Sequence, residues 1–221
     1  MHAVAIVAAA GSGLRLGAER PKALVPLAGR PLVCWSVDAL RAGGVEELVV
    51  TVPTAARAAF RQVLGPDVRL VHGGLTRTAS VRAALGTVDA SAGAVLVHDA
   101  ARPLTPPDVV ARVLAALAGG APAVVPVLPV VDTTVVVDDA GTVRDTLDRA
   151  ALRRVQTPQG FDRATLLAAY ARLPEGVELT DDAAVVRAAG VPVTTVAGDE
   201  LAAKVTVPHD LALAELLVAA R

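Results

Sequence analysis

Apolar residues along the chain fall into short runs of strand length, separated by segments whose apolar positions recur every three or four residues, and the two kinds alternate. Runs at residues 3–10, 47–52, 68–71, 94–97 and 123–128 predict buried strands, with a late one at 191–196. Helical spacing predicts helices over 31–41, 54–64, 77–85, 106–117, 163–171, 180–189 and 208–220. Thr54, Thr105 and Thr180 stand where helix caps are expected, and Pro31 and Pro106 where a first helical turn accepts proline. Strand followed by helix, repeated, encodes an α/β protein whose parallel sheet is covered on both faces. Residues 133–137 and 142–147, joined by Asp138-Asp139-Ala140-Gly141, break the alternation and predict a β-hairpin.

A hairpin alone is marginal in water, so this arm, at about 133–150, needs a surface to lie on. A second copy of the chain is the expected surface, giving a homodimer in which Thr133 or Arg149 reaches the partner's crevice.

The 221 residues suffice for one sizeable core, and no linker-like run divides them, so one domain over 1–221 is expected. A net charge of −1 and 2% aromatic residues argue against a nucleic-acid surface. Cys34 is the sole cysteine, which excludes a disulfide framework and a thiolate metal cage and points to a reducing compartment. The apolar start of the chain is short, has no preceding Lys or Arg, and ends in glycines, unlike a signal sequence. No later stretch has the uninterrupted length of a membrane span, so a cytoplasmic protein is expected.

Of the 21 Lys plus Arg, only Lys22 and Lys204 are lysine. A compact ammonium serves a phosphate as a point charge where a guanidinium is too large, which makes both candidate site residues.

The first strand ends at Ala8-Ala9-Ala10-Gly11-Ser12-Gly13-Leu14-Arg15-Leu16, followed by Pro21-Lys22. Glycines let the chain turn several amides onto one anion, and Arg15 and Lys22 add cations there. The spacing matches neither a dinucleotide fingerprint, which needs glycine where Leu16 stands, nor a P-loop, which needs Gly-Lys-Ser/Thr. Gly73-Gly74 with Arg77 and Ser80 opens a later helix and suits a base or a phosphate, although Thr76 or Thr78 serves equally as a plain cap. His98-Asp99-Ala100-Ala101-Arg102-Pro103 stands at the carboxyl end of the fourth strand, where ligand crevices of open parallel sheets lie. Asp99 there suits a magnesium–phosphate complex, since Mg²⁺ takes one or two carboxylates plus substrate oxygens. Ala100 and Ala101 leave room for a ligand, and His98 reads as a packed residue.

These motifs, together with Asp132-Thr133, Asp148-Arg149, Thr157-Pro158-Gln159, Thr180-Asp181 and Lys204-Val205-Thr206, resemble the 2-C-methyl-D-erythritol 4-phosphate cytidylyltransferase family over nearly the full length. The resemblance implies a nucleotide-diphosphosugar transferase-like fold, with a three-layer, mostly parallel Rossmann-like sheet and a dimerisation arm. It implies transfer of the cytidylyl group of CTP to methylerythritol phosphate, with Mg²⁺ or another divalent cation and release of pyrophosphate. Arg15, Lys22, Arg149 and Lys204 would be catalytic, with Thr133 and Arg149 serving the neighbouring site. Ala9, Ala10, Gly11, Ser12, Gly13, Gly73, Arg77 and Ser80 would bind substrate. Asp99, Ala100, Arg102, Thr133, Thr157 and Thr180 would bind it too. Two alternatives stay open on the residues alone, a ribitol 5-phosphate cytidylyltransferase and a nucleotide-binding module without turnover. The family usually follows Pro-Lys with glutamine and an aromatic, where this chain has Ala23-Leu24.

Overall fold

The computed structural model describes residues 1–11 and 20–220, so the expectations placed on Ser12, Gly13 and Arg15 lie outside the described residues. Strand β1 (Ala3–Ala8) is the axis of the sheet. Ala3, Ala5 and Val7 face one core while Val4 and Ile6 face the other, as an extended chain buried on both sides requires. A run apolar at every position is therefore what this place in the sheet demands.

A two-residue pairing of β2 (Pro26–Leu27) with β3 (Arg30–Pro31) leads into α1 (Leu32–Ala42). β1 pairs in parallel with β4 (Glu47–Val52) and β6 (Ala94–Asp99), and β4 with β5 (Arg69–His72). Helices α1, α2 (Arg57–Leu64) and α4 (Pro107–Ala118) cover one face. Helices α3 (Arg77–Leu85), α5 (Arg163–Arg172) and α6 (Asp182–Ala188) cover the other. The chain's two phenylalanines divide between the faces, Phe60 on the first and Phe161 on the second, both fully buried.

Beyond β6 the sheet departs from the expected alternation. β7 (Ala123–Pro129) is separated from β6 by β11 (Gln159–Asp162), which pairs antiparallel with both. Gly160 permits this, since a Cβ there would stand 2.4 Å from Val113 Cγ1, where α4 presses onto the strand. β10 (Arg153–Val155) also pairs antiparallel with β7, and β12 (Thr194–Ala197) pairs parallel with it. Val155 and Gly160 are five residues apart, yet their partners Val127 and Val124 are three apart, so the surplus bulges out around Thr157, whose peptide with Pro158 is cis. The arm has the expected form, with β8 (Val135–Val137) paired to β9 (Val143–Thr146), and α7 (Pro208–Ala219) closes the chain.

Three expected caps are corrected. Thr54 begins a 3₁₀ turn, Thr54–Ala56, and makes no side-chain cap. Thr105 is buried and donates its hydroxyl to the Arg102 carbonyl, while Pro106-Pro107, with no N–H to satisfy, starts α4. Asp181, not Thr180, caps α6 by accepting from the Ala184 amide at 2.8 Å. No described helix is long and apolar enough to cross a membrane.

Candidate active site

The carboxyl ends of β1, β4 and β6 open into a cavity of about 570 Å³. Ala9, Ala10 and Gly11 form its floor, and the Gly11 carbonyl accepts from the Lys22 amide at 3.2 Å. That bond carries Lys22 to the cavity wall on the short 3₁₀ turn Lys22–Leu24, with Ala23 buried behind it in the core. Lys204 lines the same cavity from the far end of the chain. The Val205 amide donates to the Ala101 carbonyl at 2.8 Å, fixing Lys204 over the end of β6. The chain's two lysines, 182 positions apart, thus meet around one space.

Gly74 and Arg77 form another wall. Gly73 stands just behind it, because a Cβ would come 2.4 Å from Ala10 Cβ and 3.0 Å from Ser80 Oγ. Thr76 caps α3 by accepting from the Ala79 amide, so the cap reading holds for that residue. Ser80 accepts from the Gly74 amide at 3.1 Å and donates to the Thr76 carbonyl at 2.8 Å, so it shapes the loop as well as lining the cavity.

Asp99 is the centre of charge. Arg77 Nε donates to its Oδ1 at 3.1 Å and Lys204 Nζ to its Oδ2 at 2.7 Å. Burial would raise the Asp99 pKa, but Arg77 and then Lys204 outweigh it and hold the carboxyl well below the usual carboxylate range. It is therefore a fixed negative charge and not a proton carrier. The Arg77 guanidinium, also largely buried, is held above its ordinary value, since Asp182 and Asp99 overcome the desolvation that opposes it.

A second, smaller cavity of about 150 Å³ lies beside the first, lined by Arg102, Thr157, Thr180 and others. Arg77, Asp99 and Lys204 line both, so the ion-paired cluster is a common wall between a large space and a small one. Thr157, buried, accepts from the Asp99 amide at 3.1 Å and bonds His98 Nδ1 at 3.0 Å, which fixes the strand end carrying Asp99. Burial pushes the His98 pKa down to about 4, with Asp99 opposing and Arg102 adding to the shift, so His98 is a neutral packed residue as expected. Arg102 donates to the Ala202 carbonyl at 2.7 Å and tethers the segment before Lys204. Ala100 and Ala101 leave the large cavity its room.

Thr133 and Arg149 join neither cavity. Both are exposed on the arm side, and Arg149 Nη1 donates to the Val131 carbonyl at 2.6 Å. Sequence reasoning passed over Asp182, Tyr170 and the Gln159–Asp181 bond (2.9 Å). The signal for Asp182 was the doubled acid at the start of α6, of which a cap uses one.

Among the described residues no three His, Cys, Asp or Glu gather to hold a metal. Asp99 offers a hard, ionised oxygen at the cavity edge, which fits a divalent cation whose other ligands come from a phosphate chain.

A large space over Ala9, Ala10 and Gly11 and a smaller one beside it, sharing a charged wall at the carboxyl edge of an α/β sheet, suit a nucleotide and a phosphate, the two substrates of a nucleotidyltransferase. The sequence model of IspD, 2-C-methyl-D-erythritol 4-phosphate cytidylyltransferase, matches residues 3–220. The chain belongs to that family. It is 53% identical to 2-C-methyl-D-erythritol 4-phosphate cytidylyltransferase of Frankia casuarinae, covering 97% of this chain and 80% of the relative. Against the enzyme of the same name in Nocardia farcinica it is also 53% identical, over 97% of this chain and 93% of the relative. The crystal structure of 2-C-methyl-D-erythritol 4-phosphate cytidylyltransferase from Thermus thermophilus superposes with a TM-score of 0.84 at 40% identity, covering 99% of this chain and all of that one.

Proposed function

We propose that this protein transfers the cytidylyl group of CTP to 2-C-methyl-D-erythritol 4-phosphate, releasing pyrophosphate, in isoprenoid biosynthesis by the non-mevalonate route. The observation that carries the reading is the wall shared by the two cavities, Arg77–Asp99–Lys204, with Lys22 lining the larger one. Family membership favours methylerythritol phosphate over ribitol 5-phosphate as acceptor, and the retained cation set favours turnover over a sensing role.

Two phosphates repel, so the reaction needs positive charge placed between them and the groups held in line. The nucleotide occupies the large cavity, with its triphosphate over Gly11 and against Lys22. The acceptor phosphate enters the small cavity between Arg102, Thr157 and Thr180, where Lys204 draws it toward the α-phosphorus. Lys22 stabilises the charge that builds on the α-phosphate as the new P–O bond forms and the bond to pyrophosphate breaks. Asp99 holds Lys204 before the acceptor arrives. A Mg²⁺ ion would be held by Asp99 and the phosphate oxygens, and would supply neutralising charge to the triphosphate. The site is completed in a homodimer, the arm bringing Arg149 and Thr133 to the acceptor end of the neighbouring crevice. The reaction takes place in the cytoplasm, a reducing setting that suits the lone Cys34.

Incubation of the purified protein with CTP and either methylerythritol phosphate or ribitol 5-phosphate, following pyrophosphate, tests the reading. Release with the first acceptor and not the second is expected. Release only with ribitol 5-phosphate, or CTP binding without release, overturns it.

A further inference from the structure

Asp182 is fully buried in the first turn of α6 and lines neither cavity. A buried carboxylate is retained only where partners compensate its lost hydration, and capping is not its task, because Asp181 caps the helix. Its two oxygens are divided. Oδ1 accepts from the Tyr170 hydroxyl at 2.6 Å, and Oδ2 accepts from Arg77 Nη2 at 2.7 Å. Tyr170 is the only tyrosine of the chain, and its ring is itself held, with the Arg82 guanidinium 5.8 Å from its centroid. Arg82 is anchored in turn to the Leu173 carbonyl at 2.9 Å.

Arg77 therefore donates to two carboxylates at once, Nη2 to Asp182 and Nε to Asp99. A planar guanidinium fixed at two of its nitrogens cannot rotate about its stem. The charges alternate from the helical layer to the crevice in the order Asp182, Arg77, Asp99, Lys204. With Arg77 tied back at Asp182, it takes only Oδ1 of Asp99 and leaves Oδ2 for Lys204. Without that tie the guanidinium is free to turn its fork onto both Asp99 oxygens and displace the lysine.

We propose that Asp182, oriented by Tyr170, is a positioning residue of the transfer reaction. It acts through Arg77 to set the direction of the Asp99 carboxylate, and through it the place of the Lys204 ammonium. The idea rests on the nucleotidyl-transfer reading given above, but its geometric half concerns the ligand-free protein.

The test is a cycle of Asp182→Asn, Arg77→Lys and their double variant, with Tyr170→Phe as a milder probe that removes only a hydroxyl. Steady-state kinetics with CTP and acceptor and the melting temperature are recorded for each. Asp182→Asn is expected to lower kcat about 10- to 100-fold while KM for CTP changes less than about threefold. In the Arg77→Lys background the same change is expected to cost less than about twofold, since the partner it works through is gone. Equal costs in both backgrounds, or a lowered melting temperature with kcat unchanged, overturn the proposal. Should Asp182→Asn fail to fold, Tyr170→Phe decides, with a severalfold loss of kcat expected and wild-type kcat contradicting it. Nitrogen-15 NMR of the Arg77 Nε–H in the ligand-free protein gives a readout without turnover. A sharp, slowly exchanging signal in the wild type that broadens in Tyr170→Phe supports the proposal, and an unchanged signal overturns it. A wild-type protein with that signal but no pyrophosphate release would contradict the functional reading alone.

Discussion

The crevice wall and the β8–β9 arm both carry charged side chains and are built on opposite terms. In the wall, Asp99 and Arg77 are held by direct ion pairs on strand and helix ends, and Asp182 behind them, which pairs with Arg77, has no exposure at all. In the arm, Val136 is 44% and Val137 53% exposed, and Arg149 spends its guanidinium on a backbone carbonyl. The wall is finished within one chain. The arm displays apolar surface that its own chain leaves uncovered, as half of an interface does. The charged site is buried within the chain, and the arm proposed to dock a second copy is displayed outside it.

Breaking the wall should cost most. Lys22→Ala or Lys204→Ala is expected to lower kcat about 10²- to 10³-fold, the loss typical of one removed transition-state contact, with the melting temperature unchanged. Steady-state assays at saturating substrates check this, and near-normal turnover of either variant would refute its assigned role.

The arm is sharpened next, by mixing. Arg149→Ala and Lys204→Ala proteins, each inactive alone, are expected to regain about a quarter of wild-type activity after subunit exchange, because half the dimers then hold one complete site. No recovery would place both residues in the same chain's site. Aspartate on the arm, as Val136→Asp with Val137→Asp, is expected to give a folded monomer in sedimentation at micromolar concentration. An unaltered dimer would move the interface elsewhere.

The smallest effect is a pH slope. With its folded pKa near 4 against 6.5 unfolded, His98 stays neutral where the unfolded chain takes up a proton. The contribution of His98 to stability is therefore flat above about pH 6.5 and falls as pH drops from there toward 4, by about 2 kcal/mol between pH 7 and 5. Asp99 does not confuse the measurement, since its depressed pKa costs stability only below the ordinary Asp range. Denaturant midpoints at the two pH values check the slope, which His98→Asn should flatten.

Much of this was readable in the chain. The all-apolar 3–10 run ending in glycine placed the sheet axis and the crevice together, and the two lysines among so many arginines both marked the lining of one cavity. The antiparallel insertion of β11 was not readable, because Gln159–Asp162 is too short to show a period and its direction is set by the chain's return path between β6 and β7. Thr54 and Thr105 fit the composition of caps, yet the prolines beside them decide the geometry. Asp182 was hidden for a different reason. Its importance depends on Arg77 and Tyr170, 105 and 12 residues away, which only the fold brings to it.

The most direct test of cytidylyl transfer follows the label of CTP carrying ³²P at the α-phosphate, with methylerythritol phosphate in a single turnover. The label is expected to pass into a sugar-linked diphosphate while unlabelled pyrophosphate leaves, and to stay in CTP when Lys22 is alanine. Label appearing as free CMP, or passing to the sugar at the wild-type rate without Lys22, would contradict the account.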